Sequence, residues 1–240
     1  MSDTPDTLRR VVVLIVFVLL IAVARLTLRR DRGRALTIAM LLVSGAYLLG
    51  ERWADTWLDA QLEPTVGANV SDLVQTLGIT AACWVIGLSC LAALYGDNQI
   101  GLGQRYVRVW TAGGIVTAAT LITTSRAGDA RTVPVRHEFE LVDPLTIAYN
   151  VVAAGAVGIT CAILTAASLT ALRDHRAPLH TPLLALLTTG LLGVLSAIAT
   201  VTLLMVNAEL VRDRVETFTV GTSAPILACL AAAGLYGLAR

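Results

Sequence analysis

The sequence predicts an all-α fold: a polytopic transmembrane bundle of seven helices, with the N-terminus outside and the C-terminus cytoplasmic. Three observations carry that prediction. Of 240 residues, 56% are hydrophobic and only 15% charged, against about 45–50% and about 25% in soluble domains; the mean hydropathy is +0.74. Apolar stretches of spanning length recur along the whole chain with short connections. The ionisable residues fall between those stretches rather than in their middles. A soluble enzyme and a disordered chain fit none of this, and a formal net charge of +1 offers no attraction to nucleic acid.

A hydrocarbon core about 30 Å thick takes roughly 20 apolar residues per helix. The first stretch, about 10–28, follows Arg9-Arg10 and contains Ala22-Val23-Ala24, which mimics a signal-peptide cleavage site. Arg25, Arg29, Arg30, Arg32 and Arg34 come directly after it. A basic cluster there resists translocation, so the first helix reads as uncleaved. The second stretch spans about 35–52, and Glu51 to Glu63 reads as an interfacial extension in which Trp53, Trp57 and Leu58 can share one face while Asp55, Asp59 and the flanking glutamates stay wet. The third, about 71–96, opens at Ser71-Asp72, and the fourth covers about 106–125. Asp143-Pro144 opens the fifth, about 145–171, with Asp as N-cap and Pro at the first helical position. Thr181-Pro182 opens the sixth, about 182–207, in the same way. The seventh, about 217–238, holds Pro225 as a kink or as its true start. No soluble insertion interrupts residues 1–240, which form one domain expected to end with the seventh helix.

The basic run after the first helix sets the orientation. Placing residues 29–34 in the cytoplasm puts ten arginines inside and eight outside, while three acidic residues lie inside and fourteen outside. The rule counts basic residues, and the acidic split reinforces it. All 18 basic residues are Arg, which reads as the coding bias of a GC-rich genome rather than as chemistry.

No Asp, Glu, Arg or His sits deep in any expected span. Such groups mark ion paths and proton relays, so their absence argues against a proton-driven pump or an ion-coupled carrier. His137, His175 and His180 are in loops and cannot pair on a haem. Helical Ser and Thr have no buried His or Asp to activate them, and no HExxH motif occurs. No enzyme, cofactor or metal site is expected; His137-Glu138-Phe139-Glu140 with Asp143 reads as a solvated acidic loop. Cys83, Cys90, Cys161 and Cys229 lie in apolar stretches and read as free thiols.

Small and weakly polar residues recur at helical spacing. Asn150, Ala154, Gly158, Cys161, Thr165 and Ser168 form one stripe, and Thr189, Gly193, Ser196, Thr200 and Asn207 another. Such stripes let backbones approach closely and let hydroxyls bond across the contact. Larger polar groups collect at the outer ends of the spans: Glu51, Asp72, Gln75, Tyr149, Asn150 and Asn207. Asn150, six residues past Pro144, lies about 9 Å into its helix at 1.5 Å per residue. The expectation is an outward polar vestibule with Asn150 and Gln75 at its floor; the plainer alternative is helix ends meeting headgroups and water. On the cytoplasmic side Arg29, Arg30, Arg32, Arg34, Arg173 and Arg176 serve as a topology signal. They can also contact anionic headgroups or an acidic partner, at about 1 kcal/mol per basic residue.

The basic first loop Leu28-Arg29-Arg30-Asp31-Arg32-Gly33-Arg34, the stretch Gly67-Ala68-Asn69-Val70-Ser71-Asp72-Leu73, and the loop Leu172-Arg173-Asp174-His175-Arg176 give a layout that resembles a family of actinobacterial seven-helix integral membrane proteins labelled as transporters. Fuller members of that family carry a soluble cytoplasmic domain after the seventh helix, which this chain is expected to lack. The resemblance implies a transporter-like bundle in the bacterial plasma membrane and carries over no site residue. The uncharged interior suits a neutral or lipophilic solute. Two other classes remain open: a receptor-like or regulatory module that signals to a cytoplasmic partner, and a structural subunit of a membrane complex. Expected partners are membrane lipids and either a cytoplasmic protein or a second copy, with no nucleic acid.

Overall fold

The computed structural model describes residues 15–24, 34–49, 57, 60–61, 70–95, 100–125, 144–173, 180–206, 227–228 and 230–231. Among them are six helices of ten residues or more and no strand: α1 (Ile15–Ala24), α2 (Arg34–Leu49), α3 (Val70–Tyr95), α4 (Ile100–Thr124), α5 (Pro144–Arg173) and α6 (His180–Val206). Each falls on one of the first six expected stretches. Leu227, Ala228, Leu230 and Ala231, within the seventh, are also helical; the rest of 217–238 lies outside the described residues.

Boundaries differ in instructive ways. α5 starts at Pro144, as a proline in the first helical position requires. α4 starts at Ile100, six residues before the apolar stretch. Hydropathy marks where lipid begins, whereas the helix continues outward through Gln104 and Arg105 because its hydrogen bonds are internal.

Among the described residues three helices are long and apolar enough to cross a membrane: Val70–Ala92 with 23 residues, Pro144–Arg173 with 30 and His180–Val206 with 27. α1 and α2 are apolar but shorter. In those three spans only 22–28% of the most apolar window is buried against protein. Large aliphatic side chains face outward, with Ile115 66% and Met205 71% exposed. An apolar surface this extensive is the kind that membrane-spanning helices carry. The chain is an all-helical membrane protein.

α3 is the hub, packed against α2, α4 and α5, and the most extensive contact joins α5 to α6. The close approaches set the helix directions. Gly78 of α3 meets Ala46 and Leu42 of α2, which sets the second half of α2 against the first half of α3, as in an antiparallel pair. Across α3 and α4 the indole of Trp110 lies over Gly87 while that of Trp84 lies over Gly114, and Trp110 Nε1 donates to the Trp84 carbonyl at 3.0 Å. Gly158 faces Ala197, and Gly190 and Gly193 lie against Cys161, making α5 and α6 antiparallel too. α1 and α2 bury Ile15, Val18, Ile21, Ala22 and Met40 together with Leu227 and Ala231.

The expected hydroxyl bonds between helices are mostly replaced by bonds within them. Thr80, Ser89, Thr160, Thr165 and Thr189 each donate to the carbonyl four residues back, at 2.8–3.0 Å. In a dry interior that carbonyl is the nearest acceptor, so a hydroxyl is satisfied without a partner helix. Thr160 still reaches across to the Cys83 thiol. Cys83, Cys90 and Cys161 are free; Cys229 lies outside the described residues.

Candidate functional site

These helix directions bring the N-terminal ends of α3 and α5 together at one end of the bundle. Asp72 stands in the first turn of α3, where the helix dipole favours a carboxylate. Tyr149, in the second turn of α5, donates its hydroxyl to the Asp72 carbonyl at 3.3 Å. The Thr76 hydroxyl and the Asp72 carboxyl both lie next to the Tyr149 phenol. One turn below Asp72, Gln75 is buried at 6% exposure, beside Ser71 at 1%. Asn150 follows Tyr149 and donates its side-chain amide to the Thr146 carbonyl at 2.8 Å. An amide used in that way retains a second N–H and its carbonyl oxygen for another partner.

Asp72, Gln75, Tyr149 and Asn150 therefore share one end of two adjacent spans, joined by the tyrosine bridge. Glu51 and Asn207 lie outside the described residues. Thr76 and Thr146 belong to the cluster although the outer-end reading passed over them. The signal for Thr146 was its position four residues before Asn150, where a side-chain amide finds a carbonyl on its own helix.

Arg34 at the start of α2 and Arg173 at the end of α5 are exposed at the opposite end, and each is engaged in an interaction of its own. Arg29, Arg30, Arg32 and Arg176 lie outside the described residues. That same end carries Arg105 and Arg108 on α4, which the expected contact set did not include.

The tyrosine bridge predicts a modest, specific loss. Tyr149→Phe removes one hydrogen bond between two spans, and such bonds average about 0.6 kcal/mol inside membranes. Reversible unfolding of the purified variant in mixed micelles should show a loss of that size, with helix content unchanged.

No known protein family, characterised protein or solved structure matches this chain. Fold and site together define a helical membrane protein whose hydrogen-bonding groups gather where two spans begin.

Proposed function

We propose that the chain is a multi-pass transporter-like protein of the cell membrane, with seven spans, N-terminus outside and C-terminus cytoplasmic, that passes a neutral or lipophilic solute. The observation that carries this reading is the cluster of Gln75, Tyr149 and Asn150 beside Asp72, at the mouth of spans without charge in their middles. Amide and phenol groups at that depth suit a solute that exchanges hydrogen bonds with water for hydrogen bonds with protein. The orientation is supported by the charges. Arg34, Arg105, Arg108 and Arg173, the described arginines, lie at one end, and Asp72, the one carboxylate among the described residues, lies at the other. The positive-inside rule assigns the arginine end to the cytoplasm. Likeness in layout to the transporter-labelled family supports the same reading.

The test uses the full chain in liposomes. Glycerol entry is followed by light scattering after osmotic shock, and a fluorescent phosphatidylcholine reports movement of a lipophilic solute. One of the two should move faster than in protein-free liposomes, and Gln75→Ala with Asn150→Ala should slow it about tenfold or more. Neither moving, with a stoichiometric cytoplasmic protein co-purifying from native membrane, would replace transport with the receptor or subunit reading.

A further inference from the structure

The end of the bundle opposite the polar cluster holds a second arrangement. Tyr95 closes α3 and Tyr106 stands in the second turn of α4; their rings stack with centroids 4.5 Å apart and planes 12° from parallel. The neighbouring Tyr106 phenol holds the Tyr95 phenol above the ordinary tyrosine range. Each phenol carries one O–H donor. Arg105 and Arg108 are three residues apart and therefore on neighbouring positions of one helix side; Tyr106 follows Arg105 in the chain, and both arginines are exposed.

Depth makes this more than a charged helix end. The register set by Gly87 against Trp110 and Trp84 against Gly114 carries Ala92, where the apolar span on α3 ends, to the level of Arg105 and Tyr106. The guanidiniums therefore lie where hydrocarbon gives way to headgroups, the depth at which tyrosine and arginine anchor to a bilayer. Below them on α4 the surface is apolar, with Val109 64% and Val116 64% exposed. Charge is not balanced within the described structure, whose one carboxylate, Asp72, is at the far end. Asp97, between α3 and α4 in the sequence, lies outside the described residues.

We propose that the α3–α4 hairpin binds an acidic phospholipid: Arg105 and Arg108 hold its headgroup phosphate with the Tyr106 phenol next to Arg105, and its acyl chain lies along Val109 and Val116. Guanidinium N–H groups pair with phosphate oxygens in a planar fork, and a phenol adds a third donor. A soluble acidic partner would meet the charges but not the apolar track beneath them, and a lipid meets both. The inference rests on the membrane reading and is independent of transport.

The test is lipid retention. Full-length protein is placed in nanodiscs of equimolar phosphatidylglycerol and phosphatidylcholine, then released for native mass spectrometry. Phosphatidylglycerol should be retained in preference to phosphatidylcholine, and each arginine removed in Arg105→Gln and Arg108→Gln should weaken that preference about fivefold. Tyr106→Phe, which keeps the ring stack, should weaken retention about twofold and reads the site even where the arginine pair is needed for folding. Equal retention of the two lipids by the wild type, or an undiminished preference in the variants, would overturn the proposal.

Discussion

Gly190→Ala is expected to lower the stability of the bundle by about 1–3 kcal/mol, the usual range for overpacking a filled interior, and the loss should resist repair. A methyl group at this position would meet the Thr165 hydroxyl, the Cys161 carbonyl at 2.9 Å and the Thr165 backbone nitrogen at 3.0 Å. Two of those three atoms are main chain of α5, so the methyl can be accommodated only by moving the helices apart. That contact is the most extensive in the molecule, and between spans close packing rather than hydrophobicity drives association. Thr165→Ala in the same chain removes the hydroxyl and leaves both backbone contacts, so it should restore little.

Gly193 supplies the comparison. There the added methyl would meet the Cys161 Sγ and the Cys161 Cβ, the latter at 3.0 Å. Cys161→Ala removes the sulfur, so the pair Gly193→Ala with Cys161→Ala should recover a larger part of its single-mutant loss than Gly190→Ala does with Thr165→Ala. Gly155, also on α5, has nothing within 4 Å of an added methyl, and Gly155→Ala should leave stability unchanged or slightly raised. Equilibrium unfolding of these five variants together with Thr165→Ala and Cys161→Ala alone in one detergent series, read as double-mutant cycles, checks the ordering. A Gly190→Ala variant as stable as Gly155→Ala would mean that α5 and α6 do not approach at this depth.

Much of this architecture was legible from period and length. An apolar run of about twenty residues has one low-energy form in lipid, because every backbone polar group must be satisfied within its own segment. Pro144 places a helix start to the residue for a related reason, since a missing N–H costs nothing in the first turn. The stripe through Gly158, Cys161 and Thr165 announced a close helix contact, and the structure puts Ala197, Gly193 and Gly190 against it. Which helix would provide the partner was not legible, because a small residue is compatible with any neighbour. The same limit applies to the site. Asp72, Gln75, Tyr149 and Asn150 could be placed at span ends one by one, but the bridge from Tyr149 to Asp72 links residues 77 positions apart and has no local signature. Hydroxyl destinations were misjudged because the i−4 carbonyl competes with a partner helix at every Thr and Ser. The reciprocal tryptophans were missed entirely: Trp84 and Trp110 read in sequence as ordinary apolar bulk.

That pair carries the second large prediction. Trp110→Ala should cost about 3–5 kcal/mol, the range for emptying a packed aromatic site, and should act chiefly on α4. Leu121 is the one residue of this helix buried outright among those described, and its apolar stretch is diluted by threonines, glycines and Arg108. Lipid alone therefore holds α4 in place less firmly than it holds α3, α5 or α6, and the indole seated over Gly87 supplies what composition does not. The hydrogen bond from Trp110 Nε1 to the Trp84 carbonyl separates two parts of that contribution. Trp110→Phe keeps most of the ring and removes the donor, so it should cost well under half as much. Gly87→Ala should be nearly as damaging as Trp110→Ala, because the methyl meets three atoms of the Trp110 indole and the ring cannot retreat without breaking its bond. Gly114→Ala should be milder, since its nearest contact is the Trp84 Cδ1 at 2.8 Å, at the edge of a ring that can tilt. Unfolding monitored by tryptophan fluorescence in detergent ranks the four variants. If α4 were held by hydrocarbon rather than by this interlock, Trp110→Ala would be nearly silent and the two glycine variants would not differ.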